Sequence, residues 1–373
     1  MKIRIKWGNV CLTLLVLILI IVGLINPVRL TAIKNIEKLN YSETTAKKII
    51  KMGLKDLTMK YDYSSFVDKN INEKEFDINN YEVYLQLSYK EEANDLNLIN
   101  KLINKGYNAE EVDCIIQTGD YESINLLLNK NKYENILKFL NHDFALLSRL
   151  DRYIEYKELN VVSYDNAILN VNMDLDKENY QDVNLIEEFS FLMLVNKHNK
   201  LSVDLKIPEL EVFSKTYSYG TKVMANQTAI DAFVRMSDDY YNIGGVRILA
   251  NDAYRSFDDQ QKIVDNSRKL YGDAYVNKKV ALAGHSDHQT GLGITIVSKD
   301  DNAMKWVSEN AYKYGFILRF PYALNDLNDS PEKNPTGFNV INNYYRYVGV
   351  EAATYMKNNN ICFEEYYAKF LVK

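Results

Sequence analysis

The 373-residue sequence predicts an α+β protein made of one transmembrane helix, an all-helical module and a C-terminal domain of mixed helix and sheet. Three observations support this prediction. An uncharged apolar run lies near the N-terminus, two similar helical stretches follow it, and an ordered series of motifs begins at Asn196. We expect a membrane segment at 1–32, a helical module at 33–158, a connector at 159–195 and the C-terminal domain at 196–373.

Composition limits the classes of function. The chain is long enough for two domains beside a short anchor. Its net charge of −5 leaves no basic excess to neutralise phosphates, so a nucleic-acid partner is not expected. The three cysteines, Cys11, Cys114 and Cys362, fit no metal-binding spacing. We expect Cys114 and Cys362 to be free thiols, with a disulfide between them as the alternative.

The N-terminal segment has the pattern of a signal-anchor. Lys2, Arg4 and Lys6 precede an uncharged, mostly apolar run, Val10–Ile25, which is close to the shortest helix that spans a bilayer. Because basic flanks stay in the cytoplasm, we expect a single-pass protein of the cell membrane whose chain after Arg29 is extracellular. A cleaved signal peptide is the alternative, but the run GLINPVRL offers no small-residue cleavage site.

The helical module contains two similar units. Tyr41 aligns with Tyr107 and Tyr84 with Tyr153, at offsets of 66 and 69 residues. Apolar residues recur at helical spacing between these markers. Each unit is too short to bury its own apolar face, so the two are expected to pack together.

Capping residues mark the first helix of each unit. Ser42 and Asn108 are the predicted N-caps, and Glu111 stands three residues after Asn108, as a capping box requires. Gly53 and Gly119 are the predicted C-terminal caps.

Five motifs follow one another in the C-terminal domain. They are NKHNKLSVDLKIPEL, AYRSFDDQQ, AGHSDHQTGLGITI, MKWVSENAYKYGFILRFP and YYRYVG. In this order they resemble the VanY-type D-alanyl-D-alanine carboxypeptidases, which are LAS-type zinc metallopeptidases, over most of residues 196 to 357. The resemblance implies a small antiparallel sheet with flanking helices and a role in peptidoglycan metabolism.

The resemblance also implies a zinc site, most of which is replaced here. Such a site polarises the scissile carbonyl and activates a water, while a nearby carboxylate moves protons. The family ligands are the His of SEH, the Asp seven residues later and the His of EPWH, and the base is a Glu three residues before that His. Only His288 is retained. Thr295, Tyr344 and Ile341 stand at the Asp, second His and Glu positions, so we expect no zinc and little or no hydrolysis.

Other family positions are intact. Arg255 and Gln260 match the arginine and glutamine of the YRS…Q motif, and Ser286 matches the serine of SEH. The resemblance implies that these three residues contact the substrate, and the fork of Arg255 suits a carboxylate or carbonyl oxygen. A purely structural role for Arg255 and Gln260 is the alternative.

A substitute metal site would need other donors. His198 and His285 are the remaining histidines of this domain, and His285 and Asp287 stand at family positions that are not ligands. A loop rich in turn formers carries three more carboxylates, which are expected to be solvated: Asp326, Asp329 and Glu332.

Three functions remain open from the sequence. The first is a membrane-anchored, extracellular and non-catalytic VanY-like protein that binds stem peptide or a wall-synthesis partner. The second is an active zinc D,D-carboxypeptidase with a rearranged metal site, for which zinc would be the cofactor. The third is a scaffold in which the helical repeats do the binding.

Overall fold

A computed structural model describes the chain from residue 28 onward, over residues 28–88, 90–91, 94–322 and 334–372. The chain divides into two compact units, Met1–Leu150 and Asp151–Lys373. The predicted membrane run and Cys11 lie outside the described residues, so the signal-anchor stays a prediction. Within the described ranges, no helix combines the length and apolarity needed to cross a bilayer.

The first unit is helical. Its helices are α1 (28–37), α2 (Glu43–Lys51), α3 (Lys55–Thr58), α4 (Ser65–Asn70), α5 (Tyr81–Tyr84), α6 (Leu96–Asn104), α7 (Ala109–Thr118), α8 (Tyr121–Leu128) and α9 (Leu137–Leu140). Two helices follow at the start of the second unit, α10 (Leu150–Leu159) and α11 (Tyr164–Asn172). A 3-10 turn precedes both α5 and α10, so the order of elements from α2 to α6 is repeated from α7 to α11.

The predicted N-caps are confirmed. The Ser42 side chain accepts a hydrogen bond from the Thr45 backbone N–H. Asn108 Oδ1 accepts from the Glu111 N–H, and Glu111 Oε2 accepts from the Asn108 N–H, each at 2.9 Å, which completes the capping box. These bonds satisfy backbone donors that the first helical turn leaves unpaired.

The aligned tyrosines Tyr41 and Tyr107 make equivalent contacts in the two repeats. The Tyr41 hydroxyl accepts from the Ser64 N–H at 3.0 Å, and the Tyr107 hydroxyl accepts from the Tyr133 N–H at 3.2 Å. Both tyrosines are buried. Their rings therefore fill each repeat while their hydroxyls satisfy the backbone of the chain that follows.

The predicted C-terminal caps differ in conformation. Gly53 has a φ of +75°, which glycine adopts without steric cost. Gly119 is extended, and a Cβ there would lie 2.5 Å from Leu147 Cδ2, so close packing explains that glycine.

The second unit combines helices with three small sheets. Strands β1 (Asn184–Ile186) and β2 (Asn199–Leu201) pair in parallel, and β3 (Leu210–Val212) and β4 (Met224–Asn226) pair antiparallel. The main sheet has the antiparallel order β5-β6-β8-β7, with β5 (Leu249–Asp252), β6 (Gly293–Val297), β7 (Phe316–Leu318) and β8 (Tyr344–Tyr347). After α10 and α11, the helices of this unit are α12 (Gln227–Gly244), α13 (Phe257–Tyr271), α14 (Asp273–Lys279), α15 (Asp301–Asn310), α16 (Val350–Asn359) and α17 (Phe363–Phe370). The predicted small antiparallel sheet with flanking helices is confirmed.

The main core lies between α12 and the four-stranded sheet. Phe233 of α12 is fully buried in one cluster with Ile294 and Ile296 of β6 and Tyr345 of β8. Because side chains alternate along a strand, Thr295 points to the opposite face of the sheet. The core therefore determines which residues of β6 and β8 are left for a site.

Cys114 and Cys362 are free thiols in the described part of the chain, as predicted, and they belong to different units.

Candidate ligand-binding cleft

A cleft of about 310 Å³ opens on the face of the main sheet away from the core. Every predicted site residue lines it: Arg255, Gln260, Ser286, His288, Thr295, Ile341 and Tyr344. His285 and Asp287 also line the cleft, whereas His198 lies outside it. Asp326, Asp329 and Glu332 lie outside the described residues.

Strand pairing brings these distant positions together. Thr295 of β6 lies directly opposite Tyr344 of β8, and on its other side it lies opposite Asp252 of β5. The 3-10 turn Asp287–Thr290 precedes β6 and carries His288 to the same face. The antiparallel register therefore brings together the positions that the sequence predicts as the family's metal site.

His288 is buried and held in one orientation. Its Nδ1 lies 2.5 Å from the Ala253 carbonyl oxygen. Because a carbonyl oxygen can only accept, Nδ1 carries the proton and Nε2 is left with a lone pair. Burial, with a further contribution from the Arg255 charge, lowers the His288 pKa to about 4. The imidazole is therefore neutral at neutral pH.

Tyr344 occupies much of the space beside His288. Its ring centroid lies 4.6 Å from that of His288, and Phe320 stacks on it at 5.8 Å with an interplanar angle of 10°. Its buried hydroxyl has no hydrogen-bond partner among the described residues. Burial raises the Tyr344 pKa well above its usual value, so this group is a neutral phenol that can still donate one hydrogen bond.

The absence of a side chain at Gly293 makes room for Tyr344. A Cβ at Gly293 would lie 1.9 Å from the Tyr344 hydroxyl oxygen and 2.7 Å from its Cζ. Such a contact cannot be relieved by a small rotation, because Phe320 and His288 pack against the same ring. Gly293 and Tyr344 therefore form a matched pair.

This pair leads to a stability prediction. Gly293→Ala is expected to lower the free energy of unfolding by roughly 1–3 kcal/mol, because it overpacks the cleft floor. In a Tyr344→Ala background the same change should cost less than about 0.5 kcal/mol, which a double-mutant cycle by chemical denaturation would measure. Equal costs in the two backgrounds would show that the residues are not coupled.

Arg255 is partly committed to the fold. Its Nε and one terminal nitrogen donate to Asp252 Oδ2, and the other terminal nitrogen donates to Gln260 Oε1 at 3.1 Å. Gln260 Nε2 in turn donates to the Ala281 carbonyl at 2.7 Å. Two of the five Arg255 N–H groups have no partner among the described residues, so the guanidinium is oriented and can still bind a ligand.

A buried cluster of four charges supports the 3-10 turn. Asp287 Oδ2 accepts from Arg319 Nε at 2.5 Å, and its Oδ1 accepts from Arg346. Arg319 also donates two hydrogen bonds to Glu364 of α17, at 2.8 and 3.0 Å. All four side chains are inaccessible to solvent, and their formal charges sum to zero. The cluster fixes the turn that carries Ser286 and His288.

Sequence reasoning missed this cluster. The sequence patterns predict no role for Asp287 beyond its place in the family motif, and they do not single out Arg319 or Glu364. One signal was present, because Arg319 interrupts the apolar run GFILRFP, where a charge needs a buried partner. Nothing local identifies Glu364 as that partner, since it lies 45 residues away.

The C-terminal sequence is similar to known proteins. A family model described as VanY, D-alanyl-D-alanine carboxypeptidase, matches residues 222–333. YodJ of Bacillus subtilis (strain 168), a carboxypeptidase homologue, is 30% identical over 221 residues, which cover 54% of this chain and 78% of YodJ. The chain belongs to the VanY D-alanyl-D-alanine carboxypeptidase family.

Two further proteins are similar to this chain over the same domain. The D-alanyl-D-alanine carboxypeptidase of Enterococcus faecalis (strain ATCC 700802 / V583) is 31% identical over 190 residues, which cover 47% of this chain and 65% of that protein. A structure of VanYB in complex with D-alanine-D-alanine is 29% identical, covers 47% of this chain and 96% of its own, and has a TM-score of 0.40.

The cleft does not fit the zinc that the VanY family implies. The three positions predicted to match the family's ligands supply one imidazole nitrogen, the Thr295 hydroxyl and the neutral phenol of Tyr344. Zinc sites in proteins use thiolates, imidazoles and carboxylates, and an un-ionised hydroxyl or phenol is a poor substitute. Over residues 28–322 and 334–372, apart from the short gaps, no three His, Cys, Asp or Glu side chains converge on one point.

Proposed function

We propose that this chain is a non-catalytic member of the VanY family that binds the end of a peptidoglycan stem peptide in its cleft. One observation carries the proposal. The residues that would contact a peptide, Arg255 and Ser286, are retained in an open cleft whose metal positions hold Thr295 and Tyr344. The cleft thus keeps side chains that can bind a peptide but lacks the metal ligands and the base that hydrolysis needs.

The side chains of the cleft can bind a peptide that ends in a free carboxylate. Arg255 supplies a positive charge with two uncommitted N–H groups, and its position is set by Asp252 and Gln260. The Ser286 side chain makes no capping bond to the turn that follows, so its hydroxyl remains able to bond a ligand. D-Ala-D-Ala is the first ligand to test, because relatives are named for that substrate.

Hydrolysis is not expected, for a reason that lies in the side chains. An attacking water needs a Lewis acid to lower its pKa and a base to accept its proton. Thr295 and Tyr344 cannot complete a zinc site around His288, and Ile341 at the base position carries no titratable group. Fold similarity does not restore this chemistry.

Isothermal titration calorimetry with a D-Ala-D-Ala-ended pentapeptide tests the proposal. The full-length protein is expected to bind the peptide with or without a chelator, to bind an L-Ala-L-Ala-ended peptide more weakly, and to release no D-alanine. Arg255→Ala should weaken binding by roughly tenfold or more, because a charge-assisted hydrogen bond to carboxylate is lost. Arg235→Ala, an exposed arginine of α12, is the matched control.

Two results would contradict the proposal. If the titration releases no more heat than dilution of the peptide does, the protein does not bind the pentapeptide and the proposal is wrong. Stoichiometric zinc that disappears on His288→Ala, together with D-alanine release, would instead establish an active zinc carboxypeptidase with a rearranged site.

We further propose that the protein is anchored in the cell membrane by its N-terminal segment, with the chain after Arg29 outside the cell. Support comes from the apolar run Val10–Ile25 and the basic residues before it. In this location the cleft would meet stem peptides, and a wall-synthesis protein is the alternative partner. Digestion of intact cells with an added protease tests the orientation, since a protected C-terminal unit would contradict it.

A further inference from the structure

The corner between α13 and α14 exposes three large apolar residues. Leu270, Tyr271 and Tyr275 are 70%, 61% and 40% exposed. The two tyrosine rings lie against each other, with centroids 4.5 Å apart and an interplanar angle of 37°. Contiguous exposed apolar surface of this kind marks interaction sites, and the proposed cleft function assigns it no role.

The tyrosine pair is held on a fixed frame. Gly272, with a φ of +80°, makes the turn between the helices, and Arg268 Nε donates to Asp273 Oδ1 across it at 2.6 Å. Val276, the residue after Tyr275, is fully buried and packs α14 against the rest of the unit. A surface that is already ordered loses little conformational entropy when it binds.

The pair also lies beside the cleft. Lys279 follows Tyr275 by one helical turn on the same face of α14, which is about 6 Å along the axis. Lys279, Val280 and Ala281 line the cleft. The exposed aromatic surface is therefore continuous with the cleft rim.

We propose that Tyr271 and Tyr275 bind a sugar ring of the glycan strand to which the stem peptide is attached. This inference rests on the proposed function of the cleft. A pyranose presents axial C–H groups on one face and hydroxyls at its edge, and a tyrosine offers an apolar ring face with a polar hydroxyl that matches both. An extended five-residue peptide spans up to about 17 Å, which exceeds the rise of about 6 Å between Tyr275 and the cleft residue Lys279.

The test compares three soluble ligands on the full-length protein in detergent. They are a disaccharide-pentapeptide, the same pentapeptide without sugar, and the disaccharide alone. The parent is expected to bind the disaccharide-pentapeptide roughly tenfold more tightly than the free pentapeptide. The double variant Tyr271→Ala/Tyr275→Ala should lose this difference while keeping its affinity for the free pentapeptide.

A matched control and a solution measurement complete the design. Tyr121→Ala/Tyr219→Ala removes two tyrosines that are 68% and 70% exposed and do not line the cleft, and it should keep the tenfold difference. Sedimentation velocity on the parent and both double variants reports whether the pair instead joins two copies of the chain.

The outcomes separate this inference from the cleft function. Equal affinity of the parent for pentapeptide with and without sugar overturns the tyrosine site and leaves the cleft proposal standing. Disaccharide binding that the tyrosine variant loses, with no binding of free pentapeptide, supports the tyrosine site and overturns the cleft proposal. If the parent is a dimer, the tyrosine variant is a monomer and both bind sugar equally well, the tyrosine pair is a dimer contact and not a glycan-binding surface.

Discussion

The triple variant Thr295→Asp/Ile341→Glu/Tyr344→His is expected to bind about one zinc ion per chain. Thr295 and Tyr344 lie opposite each other in β6 and β8 and line one cleft with His288. The new carboxylate at 295 and the new imidazole at 344 would therefore lie beside the retained imidazole of His288. His288 Nδ1 already donates a hydrogen bond to the Ala253 carbonyl, and a bond of this kind orients a zinc-binding imidazole. Elemental analysis and calorimetric zinc titration measure the gain over the parent.

Two controls separate metal binding from catalysis. Thr295→Asp/Tyr344→His, with Ile341 unchanged, should bind zinc but hydrolyse a D-Ala-D-Ala peptide roughly 100-fold or more slowly than the triple variant, because it lacks the proton acceptor. Adding His288→Ala to the triple variant should abolish stoichiometric zinc. A triple variant that folds yet takes up no zinc would show that the cleft has changed beyond the replaced side chains.

Asp287→Asn is expected to lower the free energy of unfolding by about 3–5 kcal/mol. The substitution keeps the shape of the side chain but leaves Arg319 and Arg346 buried with Glu364 as the remaining carboxylate of the cluster. Two buried positive charges would then face one negative charge, and desolvation is no longer offset. Urea denaturation of the parent and the variant measures the loss.

An exposed ion pair provides the comparison. Asp265 lies 3.6 Å from Arg268 on the surface of α13, and Asp265→Asn should cost less than about 1 kcal/mol. If Asp287→Asn cost no more than Asp265→Asn, the buried cluster would not be what holds the 3-10 turn. The predicted difference follows from burial, since both substitutions remove one carboxylate charge.

Local features of the fold could be predicted because they depend on neighbours in the sequence. The Asn108 capping box joins residues three positions apart, and a helix start brings any such pair together. The regular spacing of the tyrosines in the sequence predicts the repeat, and Tyr41 and Tyr107 make equivalent hydrogen bonds in the two repeats. The cleft positions followed from the order of the VanY motifs, which places His288, Thr295 and Tyr344 in register.

Other features of the site depend on contacts between distant residues. Strand periodicity shows which face of β6 carries Gly293, but not that a tyrosine from β8 fills the space above it. Arg255 and Gln260 were predicted to contact substrate or to hold the fold, and their mutual hydrogen bond shows the second role without removing the first.

The sequence by itself determined the family and the helical repeat, and it predicts the replaced zinc ligands, because each is a matter of which residue stands at which spacing. The tertiary structure decided which charges are buried together, which glycine makes room for Tyr344 and which tyrosines remain exposed beside the cleft. Asp287, Arg319 and Glu364 illustrate the reason. Their carboxylates and guanidinium attract one another strongly only after folding has removed the water between them.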